Sequence, residues 1–318
     1  MIRILITDTH FGWKQNAIGW LESQIKFFDR ELIPFIERQT EPVRLIHLGD
    51  VFESRSSISP LVAKAVRERF MKLNAMVEDF IIIAGNHDFY SPNSDDIDSI
   101  TMVLRECGMH LVIKEPLVMD EDIFVPWYNY KTDDLERILK LNPEVKNIYT
   151  HADIFGEDRK FFPGKKIFSG HIHIPQIDTA KGWYNLGSCY SLNFADANHD
   201  RYFYTYDGNK VLAHANNHSI RFWRIKNEAI FDEVPQRHRN DYYELYIDQA
   251  NMQTTEYQKR ISELTQAFKN MVVIPLIPST ITEGEQFESY DVSQVCRSII
   301  PERLQAKFAL VERSLIKE

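Results

Sequence analysis

Three cysteines in 318 residues, Cys107, Cys189 and Cys296, are too few and too scattered for a disulfide framework or a thiolate zinc site. Such sparse use fits a reducing compartment. No apolar run approaches the roughly 20 residues that cross a bilayer. Met1 leads straight into what reads as a core strand, with no basic stretch, apolar stretch and cleavage site. A cytoplasmic protein with no membrane association is therefore expected. Internal repeats, low-complexity tracts and a G-x-x-x-x-G-K-[ST] phosphate loop are also missing, so any ATP use would belong to a partner. Positive charge is in deficit, 37 Lys and Arg against 46 Asp and Glu, for a net charge of −9. That argues against a uniformly basic nucleic-acid binder. It does not exclude a polyanionic substrate, because bound cations invert the sign locally.

What the chain does have is a pattern repeated five times: an apolar run that ends in metal-binding residue types. ILIT runs into Asp8, Thr9 and His10, and VRLIHL into Gly49 and Asp50. DFIIIA runs into Gly85, Asn86, His87 and Asp88, VKNIYT into His151, and KKIFS into Gly170, His171, Ile172 and His173. Strands buried on both faces read as continuous apolar runs. In open α/β sheets, ligands gather beyond the carboxyl ends of such strands. Five strand ends at one edge would pool Asp, His and Asn around one point, as a two-metal hydrolase requires.

Residues 1–115 alternate strand and helix signals, with helices expected over about 20–39, 60–77 and 97–107. From about 109 to 215 short alternating segments dominate, with one helix over 131–141 and a hairpin turn at Asp207, Gly208 and Asn209. These features predict an α/β fold: a two-sheet β-sandwich flanked by helices over residues 1–219. A small α+β capping domain, strand then helix then strand, is expected over 220–286, its helix starting at a Thr255/Gln258 capping box. A helical tail with Leu304, Phe308, Val311 and Leu315 at helical spacing follows over 287–318.

A two-metal phosphoester hydrolase needs a carboxylate shared between the ions, further N or O ligands on each, and an acid to protonate the leaving alkoxide. Asp8 and His10, two apart on an extended segment, point the same way. Asp50 follows Gly49, which lets the backbone approach an ion; Asn86 offers an amide oxygen, and His151, His171 and His173 offer imidazoles. His87 would sit above the metals as the acid, with Asp88 orienting it. Each block alone is a common turn or loop. Their order, each after an apolar run, carries the inference.

The order D-x-H, G-D, G-N-H-D, H, G-H-x-H over residues 8–173 resembles the calcineurin-like metallophosphoesterases. The resemblance implies one metal held by Asp8, His10, Asp50 and His173, and a second held by Asp50, Asn86, His151 and His171. His87 would be the non-ligand histidine that assists the leaving group. Within that superfamily the chain looks most like the SbcD and Mre-eleven type nuclease subunits of DNA break repair. The loop GDVFESRSSISP, the stretch NLGSCYSLNFADANHDRYFYTYD and the order of cap and tail carry this narrower likeness. Glu53 stands where archaeal and eukaryotic members have histidine, which favours the bacterial or tailed-phage branch. The resemblance implies a DNA nuclease using two divalent cations, Mn²⁺ first, with Mg²⁺, Fe²⁺ or Zn²⁺ as alternatives. It implies an SMC-like coiled-coil ATPase partner of SbcC or Rad-fifty type docked through the C-terminal helices, and a homodimer.

Two other readings stand beside it. One is a phosphodiesterase or phosphatase acting on a small nucleotide or phosphoprotein, although the G-D-x-x-D-R-G block of protein phosphatases is absent: Val51, Phe52 and Glu53 follow Asp50. The other is a scaffold without chemistry, ranked last because no ligand is missing. His47 reads as a core residue. Trp127 and Tyr128 read as core or rim packing. Arg221, Arg224, Lys226, Arg237 and Arg239, interleaved with Phe222 and Trp223, fit either phosphate and base contacts or a solvated strand face.

Overall fold

The first strand, Ile2–Ile6, shows how the layers arise. Side chains alternate across a pleat. Ile4 and Ile6 pack with Phe27, Phe28, Val66 and Phe70, while Leu5 packs with Phe124, Tyr149 and Phe168. Both faces are buried, and Arg3, the charged residue within the strand, is buried against Asp122. The computed structural model describes residues 1–91, 94–130, 134–227 and 229–276. The tail expected over 287–318, and the cap from 277 onward, lie outside the described residues.

Ile2–Ile6 sits within a six-stranded sheet. Across it run Val211–Ala215, Tyr202–Tyr206, Ile2–Ile6, Val43–His47, Asp79–Ile83 and His110–Val112. The last four are parallel, and Tyr202–Tyr206 joins them antiparallel. A second six-stranded sheet runs Gln176–Asp178, Trp183–Asn185, Lys166–Ser169, Asn147–Thr150, Asp122–Val125 and Leu117–Met119. Its middle four strands are parallel and its two edges antiparallel. Phe124, Tyr149, Phe168 and Tyr184 form a ladder of stacked rings across the parallel strands, with centroids 4.9–5.1 Å apart. This ladder meets Leu5, Ile46, Ile81 and Ile83 of the first sheet, so the two sheets face each other.

Helices cover the outer faces. Pro60–Asn74 starts at Ser59, whose hydroxyl accepts from the Val62 N–H, and buries Val62, Val66, Phe70 and Leu73. The helix expected over 20–39 runs Ile18–Phe27, passes through a π turn at Phe28–Leu32, and continues as Ile33–Glu37 with Pro34 in its first turn. Asp134–Leu141 covers the second sheet with Leu135 and Leu139. The expected α/β architecture of sheets flanked by helices is observed.

Two local expectations are corrected. The segment before the helix Ser99–Leu104 is a two-stranded hairpin, Phe89–Ser91 with Ser94–Asp98, and Asp98 caps the helix. Farther on, Phe222–Lys226, Tyr242–Asp248 and Asn270–Leu276 make a three-stranded sheet covered by the helix Thr255–Ala267. Its N-cap is Thr254, which accepts from the Tyr257 N–H, one residue before the expected Thr255. Pro275 lies in an edge strand, where its missing N–H is tolerated. Met1–Pro275 is one compact unit.

Candidate metal centre

The carboxyl ends of five parallel strands from both sheets supply the site. Ile2–Ile6, Val43–His47 and Asp79–Ile83 lead to Asp8, Asp50 and Asn86; Asn147–Thr150 and Lys166–Ser169 lead to His151 and to His171. The turns after these strands are strained. Asp8, His10, Asp50 and His171 have φ of 51°, 39°, 54° and 78°, four of the ten non-glycine residues with positive φ. Left-handed backbone costs such residues about 1–3 kcal/mol each and gathers at functional sites. Gly49, at φ 106°, permits one of these turns; a Cβ there would lie 2.7 Å from His151 Nδ1.

All seven candidate ligands converge on one point in two overlapping sets. In the first, His10 Nε2 lies 3.2 Å from His173 Nε2, 3.7 Å from Asp8 Oδ1 and 3.6 Å from Asp50 Oδ2. In the second, His151 Nε2 lies 3.1 Å from Asn86 Oδ1 and 3.2 Å from Asp50 Oδ2, and His171 Nδ1 lies 2.9 Å from Asn86 Oδ1. Asp50 Oδ2 belongs to both. Its other oxygen accepts the His87 N–H at 2.8 Å. Atoms bound at about 2.1 Å to one cation lie about 3.0–3.4 Å from each other. The spacings are close to that, and the donors are nitrogen and oxygen without thiolate, so the residues fit two divalent ions.

Charge completes the argument. Asp8, Asp50, His10 and His151 are all buried. Burial alone would neutralise the carboxyls, yet His10 against Asp8, and His151 against Asp50, hold both well below the usual carboxylate range. In return, burial pulls His10 and His151 down, but their carboxylate partners outweigh it and lift them to about 10 and about 9. Without metal, protons on imidazole balance the carboxylates. Burial leaves His171 and His173 lowered.

Groups around the ligands fix their orientation. His151 Nδ1 donates to the Leu48 carbonyl at 2.8 Å, which leaves Nε2 toward Asp50. Gln24 Nε2 donates to the carbonyls of Thr9 and His10 at 2.8 and 2.9 Å. His47 accepts the Gly49 N–H on Nδ1 at 3.2 Å, so Nε2 donates to Thr9 Oγ1 at 2.9 Å. Burial pushes His47 down to about 3, so it stays neutral and ties the turn of Asp8 to that of Asp50. Arg201, fully buried, donates to the His173 carbonyl. Of these, only His47 carried a sequence signal, a polar residue inside an apolar strand.

His87 lies beside the ligands, its ring centroid 5.0 Å from that of His10, with its side chain 33% exposed. Nδ1 donates to the Glu53 carbonyl at 3.0 Å, leaving Nε2 free. Asp88 does not orient it. The Asp88 carboxylate is buried and accepts the N–H groups of Asp50, Val51, Phe52 and Gly85 at 2.9–3.2 Å. Neighbours on a tight turn point to different sides, and Asp88 points beneath the loop to shape the Asp50 turn. Burial and the nearby Asp50 push its carboxyl up to about 7, against the pull of those N–H donors.

The basic and aromatic candidates are engaged elsewhere. Arg221 pairs with Asp200, Arg224 with Glu244, and Arg237 with Glu233 while it stacks 3.6 Å from the Trp223 ring. Tyr128 donates to the Ser91 carbonyl and packs on Phe89, a rim role. His214 is packed between Phe35 and Phe203. No helix among the described residues is long and apolar enough to cross a membrane.

Among solved structures, a nuclease of Pseudomonas putida is similar at 19% identity and a TM-score of 0.32, covering 56% of this chain and 65% of that one. A conserved uncharacterized protein of Streptococcus pneumoniae, described as a predicted phosphoesterase, is similar at 15% identity and a TM-score of 0.31, covering 69% and 91%. The chain thus spans 65% of the length of the Pseudomonas nuclease. No curated protein matches it. The family model for calcineurin-like phosphoesterases matches residues 3–205, a span that contains both donor sets, and the chain belongs to that family.

Proposed function

We propose that the chain is a two-metal DNA nuclease, holding one ion with Asp8, His10, Asp50 and His173 and the other with Asp50, Asn86, His151 and His171. The observation that carries this is Asp50 Oδ2, 3.6 Å from the His10 Nε2 of one donor set and 3.2 Å from the His151 Nε2 of the other. Divalent cations held there, Mn²⁺ first, would neutralise charge on the phosphoryl oxygens and activate a water. The chain's own residues do the rest. The clamp on the Thr9 and His10 carbonyls keeps the ligand turns rigid. His87, with Nδ1–H anchored on the Glu53 carbonyl, would act as the imidazolium: Nε2–H faces the departing oxygen, gives it that proton and leaves the neutral ring with its remaining proton on Nδ1.

A nucleic acid is favoured over a small ester by what lies next to the site. A cleft of about 660 Å³ opens between Gly12–Asn16 and Glu53–Ser57, lined by Trp13, Lys14, Gln15, Asn16, Ser54 and Ser57. A ring, a cation and several amide and hydroxyl groups suit a nucleotide beside the scissile phosphate. We place the protein in DNA repair or recombination with an SMC-like ATPase, which the missing phosphate loop makes necessary for any ATP-driven step. Exposed Tyr90, Ile97 and Met102 line one cleft, an apolar surface that supports a homodimer. The test is Mn²⁺-dependent hydrolysis of linear DNA, bis-p-nitrophenyl phosphate and a phosphomonoester side by side. DNA and the diester should be cleaved and the monoester spared. A monoester rate equal to the DNA rate would move the assignment to a phosphatase.

A further inference from the structure

Glu53 lies three residues after Asp50, on the wall of the cleft, with its side chain 26% exposed. Its main chain is pinned: the Glu53 N–H donates to the Phe11 carbonyl at 3.0 Å, and Phe52 forms a β-bridge with Phe11. Position 53 therefore keeps a fixed distance from the turn that carries His10. From there it reaches two histidines by two routes. The carboxylate Oε2 lies 2.7 Å from His10 Nδ1, the nitrogen that faces away from Asp8, Asp50 and His173. The main-chain carbonyl takes the His87 Nδ1–H at 3.0 Å. Neither His10 Nδ1 nor Glu53 Oε2 has another hydrogen-bond partner, and the same Oε2 lies 3.7 Å from His87 Nδ1, beyond hydrogen-bond distance.

We infer that Glu53 is a positioning residue that sets the tautomers of two site histidines at once, His10 through its carboxylate and His87 through its main-chain carbonyl. An imidazole that ligates a cation through Nε2 must carry its proton on Nδ1, and an acceptor at Nδ1 holds the ring in that tautomer and makes Nε2 more basic. His151 gets this from the Leu48 carbonyl. His10 gets it from Glu53. For His87 the same residue again takes Nδ1–H, so that the second proton of the imidazolium, on Nε2, is the one that can meet a leaving oxygen. The two routes are separable, because a side-chain substitution removes the carboxylate and leaves the carbonyl in place.

This assignment rests on the two-metal reading of the site, and the experiment separates the two. Mn²⁺ binding to the full chain is titrated by calorimetry for the parent protein, Glu53→Ala and Glu53→Gln, with imidazole ¹⁵N spectra of the Zn²⁺-loaded forms. Two ions should bind the parent. Glu53→Ala should weaken one of them by about 10–100-fold and leave the other unchanged, the scale of lost outer partners of metal ligands. Glu53→Gln keeps an acceptor oxygen and should lose less; being nearly isosteric, it also carries the test if Glu53→Ala does not fold. The His10 resonances should move further than those of His87, whose Nδ1 keeps the main-chain carbonyl and loses only a carboxylate 3.7 Å away. Unchanged affinities, or equal losses at both sites, would overturn the role of Glu53 alone. A parent protein that takes up no Mn²⁺ would bring down the metal reading itself.

Discussion

The two ends of the same sandwich treat buried charge in opposite ways. At the amino ends of the strands, Arg3 and Arg44 meet Asp122 at 2.8 and 3.0 Å, and Arg44 also meets Asp79 at 2.8 Å. Asn147 Nδ2 donates to the second Asp122 oxygen, and the Tyr206 hydroxyl donates to the side-chain oxygen Asn147 Oδ1. Cations, anions and amides are matched, and the network crosses from one sheet to the other. At the carboxyl ends, two imidazole nitrogens face each other at 3.2 Å, and His10 and His151 both close on Asp50 Oδ2, at 3.6 and 3.2 Å. The backbone there is strained, whereas Arg3, Arg44, Asp79 and Asp122 keep ordinary strand conformations. One end is a closed network that fastens the sheets. The other is complete only when something positive fills it, which is the mark of a binding site.

The contrast breaks most sharply at His87. His87→Ala should lower diester hydrolysis by about 10²–10⁴-fold, the range for a lost general acid. Metal content should remain at the parent level, because His87 is in neither donor set. Plasma emission analysis of the purified variant checks this, and loss of ions along with activity would make His87 a ligand. At the matched end the reverse is expected. Asp122→Ala leaves Arg3 and Arg44 without their shared buried partner, a loss of about 3–5 kcal/mol of stability. It should not change how many ions bind the folded protein. Urea denaturation with and without metal measures both quantities. If the metal affinity fell together with the stability, the two ends would not be independent.

How far each end could be read in advance differs for a physical reason. The strands into the metal centre are apolar on both faces, so VRLIHL and DFIIIA stand out as runs and their polar ends are conspicuous. The matched network has no such signature: Arg3, Arg44 and Asp122 are isolated charges whose partners are up to 119 residues away. The same holds for Gln24, which reaches the Thr9 and His10 carbonyls from a helix that reads as simply amphipathic. Asp88 was misplaced because adjacency in sequence says nothing about which side of a tight turn a carboxylate takes. The hairpin Phe89–Ser91 with Ser94–Asp98 was invisible because SDDID has neither alternation nor an apolar run. For the arginines around Trp223, composition allowed phosphate contacts or a solvated face; the pairing of Arg224 with Glu244 depends on strand register, and that of Arg221 with Asp200 on how a distant loop folds back.

Titration sharpens the comparison further, because only one end responds near neutral pH. His10 and His151 rise from an ordinary 6.5 to about 10 and about 9 in the metal-free fold. A group whose folded value is raised contributes stability in full below its unfolded value and loses it as pH climbs through the folded value. The metal-free protein should therefore lose stability from pH 6.5 upward, through the range of His151 and then of His10. Asp8 and Asp50, held low, act on the acid side: their contribution is present above 3.8 and fades as pH falls toward their depressed folded values. Burial lowers Arg3 and Arg44, but their carboxylate partners raise them further still, so the matched end does not titrate in this window. Cations that bind the site displace the histidine protons, so their stabilisation grows with pH. The melting temperatures of metal-free and Mn²⁺-loaded protein should accordingly draw apart between pH 6.5 and about 9, with the metal-free curve falling. A gap that stayed constant across that range would mean that protons and cations do not compete for His10 and His151, and the two ends would then differ in geometry but not in electrostatics.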